Sequence, residues 1–77
     1  METRGIKRPE DLPFPVPEDL ANAITELLAA MERDDELNMG DYMDDVQGAS
    51  RLLPEDKDMW VYDYYLRGGW HKDVLDA

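Results

Sequence analysis

Between Pro17 and Arg33, Leu20, Ile24, Leu27, Leu28 and Met31 recur at three- and four-residue spacing. That period places five large apolar side chains on one stripe of a helix and leaves the remaining positions polar or small. Pro17, Glu18 and Asp19 supply the start, because proline fits a first helical turn and early carboxylates meet the positive end of the helix dipole. A lone helix cannot bury such a stripe, so the rest of the chain must cover it. With 77 residues there is one domain at most, and a chain this short removes only about 60% of its unfolded surface from water. The core must be thin.

Two further helices are legible. The polar run from Asp34 to Gly40 breaks the first pattern, and Asn38 or Asp41 can cap a second helix whose stripe is Tyr42, Met43, Val46, Ala49 and Leu53. Gly48 within it costs roughly 1 kcal/mol relative to Ala, a penalty that close approach of a neighbouring helix would offset. Leu53, Pro54, Glu55 and Asp56 repeat the start signal, and Gly68-Gly69 stops the third helix after Arg67. The Pro-Glu-Asp triplet at Pro9, Pro17 and Pro54 is recurring cap chemistry without a common period.

The ends flank this body. Pro9, Pro13 and Pro15 make residues 1–16 an extended arm, with Leu12, Phe14 and Val16 available to lie across the helices and a loose basic tip before Pro9. Residues 71–77 form a short tail of about one helical turn that can return Trp70, Val74 and Leu75 to the body. The architecture expected is an all-α three-helix bundle over residues 17–70, crossed by the proline-rich arm.

Nineteen Asp and Glu against eight Lys and Arg give a net charge of −11, which repels nucleic acid and anionic lipid and steers the chain toward basic surfaces. Hydrophobic content of 43% is that of a folded domain, not of a disordered acidic tail. The absence of cysteine removes disulfides and thiolate metal sites and, with no apolar run of signal-peptide or membrane-span length, favours a cytoplasmic setting.

Two clusters are candidate partner-binding sites. Asp34, Asp35, Glu36, Asp41, Asp44 and Asp45 crowd a segment in which helical neighbours sit about 5–6 Å apart, so they either present a row of negative charge resembling a phosphate backbone or form a solvated loop and helix start. In the third helix, Met59, Tyr62, Leu66 and Tyr65 share one side, leaving Lys57, Trp60, Tyr64 and Arg67 on another. Exposed Trp60, Tyr64 and Arg67 are the residue types of interface hot spots, with Arg67 in reach of cation–π contact; alternatively the arm or Trp70 covers this side.

Other chemistry finds little footing. Asp34, Glu36, Asn38 and Asp45 approximate a calcium loop, but Met39 holds the position that needs glycine and Gly40 comes one place late. His71 stands alone in the tail, and Gly68-Gly69 reads as a helix stop rather than a phosphate loop. Catalysis, cofactors and metals are not expected.

The opening helix from Leu20, the Asp41-Tyr42 and Asp44-Asp45 pairs, the small stretch Gly48-Ala49-Ser50 and the closing Tyr64-Tyr65-Leu66 resemble short acidic helical proteins of Gram-positive bacterial mobile elements. The resemblance spans Leu20 to Leu66. It implies an inhibitor of host defence, such as a DNA mimic or an anti-CRISPR protein, or an antidote to a toxin. Charge and resemblance together point to an inhibitor or regulator that docks on a basic, nucleic-acid-binding surface of another protein, without binding nucleic acid or membrane itself. Alternatives are a toxin-neutralising immunity protein or antitoxin, and a self-assembling subunit whose exposed aromatics form a homodimer seam.

Overall fold

The computed structural model describes residues 3–76. It is all-α: three helices of seven residues or more, a short fourth one, and an N-terminal arm laid across them, with no strand among the described residues. Helix α1 (Glu18–Glu32) begins at Pro17 as its cap chemistry dictates and buries Leu20, Ala23, Ile24, Leu27, Leu28, Ala30 and Met31. All five residues of the predicted stripe lie inside. Ala23 and Ala30, two turns apart on the same side, let neighbours approach closely.

The second helix starts earlier than the sequence suggested. At the end of α1, Asp34 takes a left-handed conformation with φ 53°, the amide of Asp35 donates to the carbonyl of Ala30 (3.0 Å), and that of Asp34 to Met31 (3.2 Å). This is a Schellman closure with aspartate at the position that glycine usually fills. The chain therefore reverses within three residues, and Asp35, rather than Asn38 or Asp41, caps α2 (Glu36–Ser50) by accepting from the backbone and side-chain amides of Asn38. Gly40 lies inside this helix, not in a loop.

Helix α2 lies along α1 and contributes Val46, fully buried, with Met39, Tyr42, Met43 and Ala49 half-buried around it. Leu53 sits beyond its end. The close helix approach anticipated at Gly48 is not there: a Cβ at Gly48 or Gly40 would meet nothing within 4 Å.

Pro54 starts α3 (Glu55–Val61), and the buried hydroxyl of Ser50 bonds the Asp58 carboxylate (2.5 Å), tying α2 to α3. The helix continues through a π-helical turn, Tyr62–Leu66, in which the Arg67 amide donates to the Tyr62 carbonyl (3.1 Å). Gly68, at φ 85°, ends it as expected. After it, α4 (His71–Asp76) brings back Trp70 and Val74 half-buried but leaves Leu75 83% exposed.

The arm is packed over its described length. One 3₁₀ turn, Pro9–Asp11, interrupts it, Leu12 is buried, and Phe14 and Val16 pack on the core. Thr3 and Ile6 are buried as well, so the segment expected as a loose basic tip is part of the body; Met1 and Glu2 lie outside the described residues. A core this small needs apolar cover from wherever the chain can supply it.

Two substitutions separate core from surface. Leu27→Ala removes a fully buried side chain and is expected to cost about 2–5 kcal/mol. Gly48→Ala adds a methyl facing open space on a regular helix and should stabilise by roughly 0.5–1 kcal/mol. Urea unfolding of the two variants beside the parent checks both signs.

Candidate protein-binding surface

The carboxylates of the Asp34–Asp45 segment divide by what the fold asks of them. Asp34 makes the left-handed turn, and Asp35 is half-buried as the α2 cap. Arg33 pairs with Asp35 (3.4 Å) and lies over the Tyr42 ring at 6.0 Å. The Asn38 bonds first, then Arg33, hold the Asp35 carboxyl below the usual range. Glu36 occupies the first turn of α2, where the helix dipole favours it.

Asp41, Asp44 and Asp45 have no such structural task. They stand at i, i+3 and i+4 of α2 on its outer side, all exposed, and no cation of the described residues pairs with them. From Asp34 to Ser50 the sequence holds no Lys or Arg at all. Like charges at this spacing repel, so the row destabilises the isolated helix slightly. Leu37, one turn before Asp41, is 95% exposed at the head of the same face. Sequence reasoning missed it because it began the helix after residue 37; with the start at Glu36, the spacing to Asp41 and Asp44 places Leu37 among the acids.

The expected aromatic patch is not assembled on the surface. Tyr64 is buried, and Trp60 is half-buried, stacked on Tyr64 (centroids 4.9 Å) with Phe14 set edge-on against it at 5.6 Å. The arm covers this side, which was the alternative reading. Arg67 stays exposed but pairs with Asp63 (3.5 Å) instead of lying over either ring. Of the side expected to carry Met59, Tyr62, Leu66 and Tyr65, only Tyr65 is buried and Leu66 half-buried; Met59 and Tyr62 are exposed, and Val61 and Tyr64 point inward in their place.

Tyr64 is the centre of a polar junction. Its hydroxyl accepts from the Lys7 amide (2.9 Å) and donates to Asp73 Oδ2 (2.5 Å), and Lys7 Nζ reaches the same carboxylate at 3.1 Å. Burial first, then the Asp73 bond, pushes the Tyr64 phenol up to about 12. Tyr65 is raised further by burial and donates to the Lys7 carbonyl. His71 stacks on Trp70 (3.8 Å) and sits 2.7 Å from the Gly68 carbonyl, a helix-end contact. Among the described residues no three His, Asp or Glu side chains converge as metal ligands; of the four that approximate a calcium loop, Asp34 lies in the turn before the α2 cap and Glu36, Asn38 and Asp45 are spread along α2.

Comparison of the chain with known protein families, with curated proteins and with solved structures gives no match. Any functional reading therefore stands on the surface just described. No helix of the described residues is long and apolar enough to cross a membrane.

The junction is open to test by pH. The bond from Tyr64, then that from Lys7, lowers the Asp73 carboxyl below its usual range, so its contribution is present above the unfolded carboxylate value and lost as pH falls through the lower folded one. The parent should be more stable than Asp73→Asn near pH 7, and the gap should shrink below about pH 4. Thermal unfolding of both proteins between these values measures it.

Proposed function

We propose that this chain is a non-enzymatic inhibitor or regulator, of the kind carried by phages and other mobile elements, that docks on a basic, nucleic-acid-binding surface of another protein. The supporting observation is the row Asp41, Asp44 and Asp45, exposed on a rigid helix and left without cations. With a rise of 1.5 Å per residue, the three charges span about 6 Å of helix axis, an average spacing of about 3 Å, close to the roughly 3.4 Å between phosphates along one strand of DNA. A protein groove shaped to accept phosphates meets a similar field here. The net charge of −11 adds long-range attraction to any such partner. The toxin-plugging alternative drew on exposed Trp60 and Tyr64, and their position beneath the arm withdraws that support.

Copurification from the native cell followed by mass spectrometry identifies the partner, and the complex then supplies the measurement. Affinity should fall by roughly tenfold between about 0.05 M and about 0.2 M salt, and duplex DNA should compete for the partner. The triple variant D41N/D44N/D45N should bind roughly tenfold more weakly and with a shallower salt dependence. Binding indifferent to salt, to DNA and to the three amides would sink the reading.

A further inference from the structure

One depression gathers soft donor atoms from three helices. Between α1, α2 and the segment after α3 lies an open, mostly apolar groove of about 280 Å³, and Met31, Met39, Met43 and His71 all line it. Met31 comes from the last turn of α1, Met39 and Met43 from α2, and His71 is the first residue of α4. Met39 and Met43 stand at i and i+4, one above the other on the face of α2 that packs against the core. Three of the five methionines of the chain thus meet its one histidine in one place. Met31 is 4% exposed, Met39 and Met43 are half-buried and His71 is exposed, so the cluster runs from the interior to solvent and leaves an ion a way in.

The histidine is held as a ligating ring is held. Its Nδ1 lies 2.7 Å from the Gly68 carbonyl oxygen, which only accepts, so the proton of the neutral ring sits on Nδ1 and the lone pair is left on Nε2. The ring's one hydrogen bond among the described residues is through Nδ1. Metal-bound histidines use the same device, a carbonyl at one nitrogen fixing the tautomer and aim of the other. Trp70, stacked on the imidazole at 3.8 Å, limits its rotation.

The lining selects the ion. No carboxylate borders the groove, so hard cations such as calcium and magnesium find no ligands there. Thioethers are soft donors that select Cu(I), and imidazole suits copper as well. With the ring neutral all four donors are uncharged, which matches a monovalent ion. The one charged side chain on the wall, Arg67, is exposed and paired with Asp63 at 3.5 Å. Tyr65, Leu66 and Trp70 complete an apolar wall that limits water at the ion.

We propose that Met31, Met39, Met43 and His71 form a soft-metal site that takes Cu(I), or its analogue Ag(I), through thioether sulfurs and His71 Nε2. Binding transfers no proton and no electron, because the ion enters monovalent and the donors are already unprotonated. The site escapes a search for His, Cys and carboxylate ligands because three of its donors are thioethers and its histidine lies far from them in sequence.

Silver nitrate titrated into the full chain in chloride-free buffer is the first probe, and Cu(I) under anaerobic ascorbate with a bicinchoninate competitor is the second. One equivalent should bind. In proton–carbon correlation spectra the methyl signals of Met31, Met39 and Met43 and the ring signals of His71 should shift, while the Met59 methyl stays in place. M39L/M43L keeps size and apolar character, and circular dichroism verifies its fold and that of H71Q. Each should weaken binding at least about tenfold, the loss that even a change around the ligands produces, whereas M59L should leave it unchanged. The methyl shifts of the unmutated chain test the site without any substitution. No binding of either ion, shifts confined to His71 or found at Met59, or an affinity that survives M39L/M43L or H71Q would overturn the proposal.

Discussion

Two tyrosine hydroxyls hold the backbone of Lys7: Tyr64 accepts from its amide and Tyr65 donates to its carbonyl. The rest of the arrangement follows from this clasp. It lays the arm over the third helix, seats Phe14 against Trp60, and decides which of two apolar helix faces becomes interior. A core drawn from α1 and α2 alone would leave Val61, Tyr64 and Tyr65 half-covered. Buried hydroxyls require partners, and a segment without its own regular hydrogen bonds is well suited to provide them.

That choice of face was beyond the reach of sequence reasoning. Met59, Tyr62 and Leu66 form as good an apolar series as Val61, Tyr64 and Tyr65, and periodicity carries no information about which one an arm will cover. Helix α1 was legible in full because one stripe of five residues admits one solution. The start of α2 was misplaced for a different reason: Asp34-Asp35 reads as a polar break, yet left-handed Asp34 and the Asp35 cap turn the chain in minimal space. With Gly40 inside a helix, local propensity is overridden by the packing of Met39, Tyr42, Met43 and Val46.

The acidic cluster was visible in the composition, but its division was not. Asp34, Asp35 and Glu36 serve the turn, the cap and the first turn of α2, whereas Asp41, Asp44 and Asp45 serve nothing in the fold. Those three carboxylates cost the helix a little stability and leave their charge free to act on whatever approaches from solvent. The same contrast holds on α3, where exposed Met59 and Tyr62 lie opposite a well-filled interior.

The carboxylate of Asp73 touches both Tyr64 and Lys7, so the first and last segments of the chain are fastened at one point. Neither can fray alone. Loss of the α4 contact strips a partner from the phenol that also anchors the arm, and lifting the arm uncovers Trp60 and leaves the same phenol in water. The two segments, distant in sequence, therefore form one cooperative opening unit, whose amides should exchange with solvent at a shared rate while α1 stays protected.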